Sequence, residues 1–276
     1  MSDIGLLHPG EMGAAVGAAA VGRGHTVRWA SAGRSVASRR RAASAGLEDM
    51  GDLAGLLAAT DMLLSICPPH AAMDVAAAVA AAGFSGLYVD CNAVSPDRAR
   101  TIARTVEAAG ASCVDGGIVG GPPSQGAGNT SLYLSGPRAK AAAACFDGSP
   151  LNTVIVNNLV GSASALKMGY AARTKGMVAL LAAVLAMAES EGVREVLEGQ
   201  WGKELSDEIA GQVGWAARRA WRFEGELHAI ADTMHGAGLP DGFHRAGAEI
   251  YRRLGPFKDH AEMPSVVELL PKLLER

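Results

Sequence analysis

Ile4-Gly5-Leu6-Leu7-His8-Pro9-Gly10-Glu11-Met12-Gly13 is the stretch on which the fold turns. Residues 4–7 read as a strand, His8 to Gly10 as a turn, and Glu11 opens a helix expected to run to Arg23 and to be closed by Gly24. In a doubly wound sheet, the turn after the first strand sets backbone N–H groups and a helix N-terminus against a diphosphate. Glycine is needed where the backbone approaches the phosphates and where helix and strand touch. Gly10 and Gly13 can fill those two roles, and Gly17 supports close packing one turn later. His8 stands where the usual G-x-G-x-x-G pattern has its first glycine. A glycine pair also occurs in ordinary strand–turn–helix units. The nucleotide reading is favoured by position, because the pair heads an alternating series.

Outward from that turn, strand-like runs recur at 26–30, 62–66, 87–90, 112–115, 131–134 and 153–156, with helical stretches at 36–45, 70–82 and 95–109. Pro68-Pro69 stops the third strand. Pro96 falls in a first helical turn, where proline is tolerated. Strands and helices alternating at this pitch predict a parallel, doubly wound sheet. Beyond residue 158 the strand signals stop. One long helix is predicted at 163–190, followed by shorter ones at 204–211, 213–223, 226–236, 241–254 and 265–274. The expected fold is a Rossmann-like α/β domain, residues 1–158, followed by an all-helical domain, residues 159–276.

The 276 residues allow one large or two medium domains. A net charge of −3 gives no general pull toward nucleic acid or membrane. Cys67, Cys91, Cys113 and Cys145 form no C-x-x-C pair, which argues against a zinc knuckle or redox motif. The N-terminal segment does not read as a signal peptide. The apolar run 176–188 is too short to span a bilayer. A cytosolic protein without a metal site is expected. The stretch 177–187 is apolar on nearly every face and is therefore expected to be buried all round, partly by a partner subunit.

At the end of the second strand, an NAD site carries an acid for the ribose 2′-hydroxyl, whereas an NADP site supplies arginine. The segment Val27-Arg28-Trp29-Ala30-Ser31-Ala32-Gly33-Arg34-Ser35 contains no acid. Ser31, Arg34 and Ser35 make a polar, positive cluster suited to a 2′-phosphate. NADP(H) is the expected cofactor. Arg39, Arg40 and Arg41 add charge nearby or form a solvated helix face.

These segments resemble the β-hydroxyacid dehydrogenase family, relatives of 6-phosphogluconate dehydrogenase. The likeness is to a subgroup with a DUF1932-type C-terminal domain. His8-Pro9-Gly10-Glu11-Met12-Gly13 is similar to the family's nucleotide loop, and Gly24-His25-Thr26-Val27 to the start of its second strand. Ile66-Cys67-Pro68-Pro69 resembles the loop beside the cofactor. Val89-Asp90-Cys91-Asn92-Ala93-Val94-Ser95-Pro96 resembles the lead into a helix. Asp115-Gly116-Gly117-Ile118-Val119-Gly120-Gly121 stands where the family binds substrate, and Ala220-Trp221-Arg222-Phe223-Glu224-Gly225-Glu226 extends the likeness into the helical part. The resemblance implies hydride transfer to or from a small-molecule substrate, and a homodimer with each active site near the junction of the two domains. It places His8 to Gly13, Cys67, Pro68 and Asn92 at the cofactor, Val119 to Gly121 at the substrate, and Lys167 at the catalytic lysine position.

Lys167 begins a long apolar helix, so a half-buried ammonium there suits acid–base work, or the side chain snorkels to water. Tyr170 shares its helical face, as a proton donor or orienting group or as a core residue, and Thr174 follows one turn on. Gly120 and Gly121 can offer N–H groups to an anion or form a tight turn. Asn92 can bond the nicotinamide ribose or substrate, or cap a loop. Val119 and Ala171 depart from the family, where a serine and an asparagine are typical. An imine reductase on the same scaffold and a non-catalytic NADP-binding sensor are therefore the rival readings to a hydroxyacid dehydrogenase-like enzyme.

Overall fold

The computed structural model describes residues 2–124, 130–258 and 260–275, and the chain divides into two units, Met1–Lys167 and Met168–Arg276. The first unit runs β1 Asp3–Leu6, α1 Glu11–Val21, β2 Thr26–Trp29, α2 Val36–Ser44, β3 Glu48–Asp49, α3 Leu53–Ala58, β4 Met62–Ser65, α4 Ala72–Ala81, β5 Leu87–Asp90, α5 Pro96–Glu107, β6 Ser112–Val119, β7 Thr130–Ser135, α6 Ala139–Ala144 and β8 Leu151–Asn157. The sheet order is β3-β2-β1-β4-β5-β6-β7-β8. The sequence of neighbours reverses direction between β1 and β4. That is where an open α/β sheet leaves a crevice beyond its strand ends.

Both faces of the sheet are covered, so β4 and β5 are apolar almost throughout rather than alternating. Leu64, Val89 and Val114 pack on one face with Val16 of α1, and Leu63, Tyr88 and Cys113 on the other with Ala76 of α4 and Ile102 of α5. Ser95 caps α5, accepting from Arg98 N–H at 3.4 Å, and Pro96 occupies its first turn. Buried Ala99, Ile102, Ala103 and Val106 follow the spacing of one helical face.

The structure differs from the sequence reading in several places. The sheet is not wholly parallel: β7 runs antiparallel to β6, with Val119 opposite Ser131, and β8 follows β7 in parallel. A short return after β6 allows this, because antiparallel neighbours need no crossover helix. β3, α3 and α6 went unpredicted, being two to six residues long and too short to show periodicity. The division between units falls after Lys167, later than the end of the strand signals at 158. The first turns of the helix α7, Ser162–Ala171, belong with the sheet because their amides bond to Asp115 and Ser135.

In the second unit, a π turn at Ala172–Gly176 leads into α8 Met177–Ser190. α9 Arg194–Trp201, α10 Lys203–Ala217, α11 Ala220–Gly236, α12 Gly242–Arg253 and α13 Val266–Leu274 follow. The predicted helix 163–190 is thus one run carrying a π turn. The predicted helix 213–223 is instead the end of α10 and the start of α11, divided at Arg218 and Arg219. The run Ser162–Ser190 is long and apolar enough to cross a membrane by length and composition. Val178, Ala179, Ala182, Leu185 and Ala186 of α8 are nevertheless buried, and α8 packs on α10, α12 and α13. Within the single chain Met177, Leu180 and Met187 of this helix are about half exposed. Phe223 meets Tyr251 edge-on at 5.4 Å and Trp215 at 5.6 Å. Lys175 pairs with the buried Glu226 and stands over the Phe223 ring, and the Tyr251 hydroxyl donates to the Lys175 carbonyl at 2.9 Å.

Candidate functional site

The glycine turn lies at the end of β1, beside the reversal in strand order. Gly10 is the N-cap of α1 in extended conformation, and no side chain caps the helix. The first-turn N–H groups and the positive end of the helix dipole are thus left to an anion. Gly10 N–H donates to His8 O at 2.9 Å. A Cβ on Gly13 would stand 2.2 Å from that same oxygen, so only glycine lets the helix start so near the turn. Pro9 is buried, Met12 partly buried and Glu11 exposed. Burial and the Arg34 charge push His8 down to about 4, so its imidazole is neutral near pH 7. His8 Nδ1 and Arg34 Nε are both buried without a hydrogen-bond partner. Two orphaned polar atoms beside an uncapped helix and a close-approach glycine fit an anionic group such as a dinucleotide's phosphates.

Ser31 is buried at the end of β2, while Ser35 caps α2, accepting from Ser38 N–H at 3.2 Å. Arg41 donates to Pro9 O at 3.0 Å and so braces the glycine turn from α2. Arg39 donates to Ser31 O at 2.9 Å and pairs with Asp49 at 4.0 Å. Asp49 went unnoticed in the sequence. The short β3 brings this carboxylate beside β2, in register with Trp29. A groove of about 640 Å3 runs between α1 and α2, lined by Glu11, Ala14, Arg40, Arg41 and Pro122 among others.

Across β4 to β7, Ser65, Asp90, Asp115 and Ser135 pair in register as a buried polar row. Asp115 accepts from Ser135 Oγ at 2.9 Å, Gly161 N–H at 2.9 Å, Ser164 N–H at 3.0 Å and Ser164 Oγ at 2.6 Å. This hub fixes the first turn of α7. Asp90 has a far poorer set of donors. Its Oδ1 accepts from Asn92, and its Oδ2 is buried without a partner. Burial first, and the neighbouring Asp115 carboxylate second, push Asp90 up to about 8. The folded chain therefore holds this proton more tightly than the unfolded chain. The resulting stability is full below the ordinary carboxylate range and drains away as pH rises toward 8. Asp90→Asn removes that dependence. Its melting temperature is expected to gain on wild type by roughly 4 °C or more between pH 5 and pH 8.5. A thermal melt series showing the same difference at every pH would contradict this.

Cys67 follows β4, and burial pushes its thiol up to about 12, so it is no nucleophile near neutral pH. Pro68 beside it is exposed. The Asn92 side chain is enclosed and binds Ser65 at the end of β4 and the Cys67 backbone just past it rather than facing solvent. Val119 ends β6, Gly120 follows with φ +118°, and Gly121 O accepts from Thr130 Oγ1 at 2.6 Å. Gly117 is the position where β6 meets α7. A Cβ there would lie 2.8 Å from Ala163 O and 3.0 Å from Lys167 Cβ. The absent side chain brings the partly exposed Lys167 beside the end of β6, two residues before Val119. In the other unit, Tyr170 is exposed and Ala171 fully buried. Thr174 lies in the π turn, and its hydroxyl donates to Tyr170 O at 3.0 Å.

Comparison with known proteins agrees with this geometry. A family model described as the NAD binding domain of 6-phosphogluconate dehydrogenase matches residues 3–145, and a domain of unknown function, DUF1932, matches residues 188–254. No curated protein matches the chain. Among solved structures, a conserved hypothetical protein from Sinorhizobium meliloti 1021 is 26% identical with a TM-score of 0.73, covering 99% of this chain and 96% of its own. Mycobacterium tuberculosis 3-hydroxyisobutyrate dehydrogenase with L-serine is 19% identical at TM-score 0.73, covering 100% of both chains. A reductive aminase from Aspergillus terreus in complex with NADPH and ethyl levulinate is 18% identical at TM-score 0.56, covering 98% of this chain and 99% of its own. With an uncapped helix behind a close-approach glycine at the strand reversal, and the family model spanning more than half of its length, this chain belongs to the 6-phosphogluconate dehydrogenase-like family of NAD-binding proteins.

Proposed function

We propose that the chain is an NADP(H)-dependent oxidoreductase acting on a small oxo or hydroxy acid, and that it works as a cytosolic homodimer. The observation that carries this reading is the uncapped N-terminus of α1 behind Gly13, flanked by the orphaned polar atoms of His8 and Arg34. The amides at Gly10 to Gly13 hold the diphosphate, with His8 to Met12 shaping the turn. Ser31, Arg34 and Ser35 take the 2′-phosphate, with Arg34 supplying the charge. Cys67 and Pro68 form the wall on the β4 side, with Asn92 behind them. The nicotinamide, when bound, supplies or accepts the hydride.

Gly120 and Gly121 offer N–H groups to the substrate's anionic end, with Val119 as an apolar neighbour. Lys167 gives the proton to the substrate oxygen during reduction and takes it back in the reverse direction. Tyr170 and Thr174 belong to the substrate side. Half-exposed Met177, Leu180 and Met187 supply the apolar face for the second copy. All four cysteines are unpaired, which suits a reducing compartment.

An imine in place of the ketone is the second reading. Val119 and buried Ala171 favour it, because neither offers the polar contact typical of a hydroxyacid site. The test is NADPH absorbance over a panel of short oxo acids and cyclic imines, with NADH run in parallel, on protein of known mass by sedimentation. Oxidation of NADPH faster than NADH by a two-chain particle is expected, and the active half of the panel separates the two substrate classes. A monomer defeats the dimer reading. NADPH that binds but is never oxidised points to a sensor and defeats the enzymatic one.

A further inference from the structure

Asn92 directs three bonds to three different places. Its Oδ1 accepts from Cys67 N–H at 2.6 Å, its Nδ2 donates to Ser65 Oγ at 3.0 Å, and the same Nδ2 donates to Asp90 Oδ1. Both amide protons and one oxygen lone pair are thereby used. The residue is 2% exposed. Its side chain is therefore closed to a ligand, although it lies where the strand ends face the crevice. What it holds is the backbone at Cys67, the first loop residue past Ile66 and one side of the strand reversal between β1 and β4. Pro68 has no N–H to donate, so the Cys67 amide is the last backbone donor before the 3-10 turn that begins at Pro69.

We infer that Asn92 is a positioning residue. Oriented by Ser65 and Asp90, it fixes the Cys67–Pro68 backbone, and the grip on the dinucleotide depends on it through that loop rather than by contact. This rests on the dinucleotide-binding reading above. Loss of the clamp leaves the Cys67 amide without its acceptor and lets the loop drift from the cofactor. A displacement of this kind weakens binding even though no ligand contact has been deleted.

The polarity of the clamp gives a test that mere loosening of the fold does not reproduce. Asn92→Asp sets a second carboxyl against Asp90. One shared proton can join the pair at low pH, and losing it at high pH makes the two carboxylates repel. Among the described residues, the groups set against Asp90 include Asp115 on β6, Cys113 on β6, Tyr88 on β5, Cys91 just after it and Cys67 after β4. None is a cation that would compensate the second charge. In the double variant Asp90→Asn/Asn92→Asp the polarity is reversed: the new amide at 90 donates to the new carboxylate at 92, which still accepts from Cys67.

NADPH titration calorimetry at pH 6 and pH 9, with each variant compared with wild type at the same pH, reads this out, and a thermal melt reports folding. Asn92→Ala is expected to bind about tenfold more weakly at both pH values, the equivalent of one buried hydrogen bond. Asn92→Asp is expected within about threefold of wild type at pH 6 and about 30-fold weaker at pH 9, whereas the double variant stays within about threefold at both. A folded Asn92→Ala protein that binds like wild type overturns the inference. Should Asn92→Ala fail to fold, identical pH behaviour of Asn92→Asp and the double variant overturns it instead. Wild-type protein that gives no heat with NADPH removes the dinucleotide reading itself, and the inference with it.

Discussion

Lys167→Ala is expected to lower turnover about a thousandfold while leaving NADPH affinity within about threefold of wild type. A positioned acid–base group contributes on the order of 10²–10⁴ in rate, so a thousandfold lies in the middle of that range. Cofactor affinity is spared because the proposed diphosphate site is at β1 and α1, whereas Lys167 lies beside Gly117 at the end of β6. The helix that carries it is also held through Asp115, which accepts from Gly161 and Ser164. The variant should therefore melt close to wild type. Steady-state kinetics on the best substrate of the panel, with calorimetry for NADPH, check this. A kcat within tenfold of wild type would remove Lys167 from the proton step. An equal loss of affinity and rate would show that it holds the fold or the cofactor rather than the proton.

Gly13→Ala is expected to weaken NADPH binding about a hundredfold and to lower the melting temperature by several degrees, whereas Gly10→Ala keeps the wild-type melting temperature. The two glycines look alike in the sequence but not in space. At Gly13 a methyl would stand 2.2 Å from the His8 carbonyl oxygen and 3.3 Å from its carbon, so the turn or the helix has to shift. At Gly10 a methyl meets nothing within 4 Å, and the φ of −66° suits any residue. A methyl at Gly10 can therefore disturb only a ligand. Displacing the first-turn amides by a few tenths of an ångström costs several charge-assisted bonds at once, and about 2.8 kcal/mol corresponds to a hundredfold. Calorimetry and thermal melts on both variants decide it. Gly13→Ala binding NADPH like wild type would show that the diphosphate lies elsewhere.

Local chemistry explains what was readable in the chain. A strand that ends in His8-Pro9-Gly10 and a helix that begins with Glu11 can be recognised from ten consecutive residues, because turn and cap preferences act over that distance. The same holds for Ser95-Pro96 at the head of α5 and for the apolar runs of β4 and β5. The site's supporting residues were harder to see. Asp115 is joined to Ser135 across 20 residues and to Ser164 across 49, and only strand register brings them together. Asp49 reaches the positive cluster because a two-residue strand pairs with β2, and two residues carry no period to detect. Asn92 has the composition of a ligand-binding residue, but the structure spends its amide on the end of β4 and the loop that follows it.

By itself, then, the sequence determined an alternating α/β half, a helical half and a glycine turn at residues 8–13, since each is encoded by neighbours along the chain. Tertiary structure alone decided the reversal of β7, the buried row from Ser65 to Ser135, the neutral Asp90 and the approach of Lys167 to Gly117. Those depend on which strands lie side by side and on how far burial strips water from a carboxyl group, and neither quantity is written in any local stretch of residues.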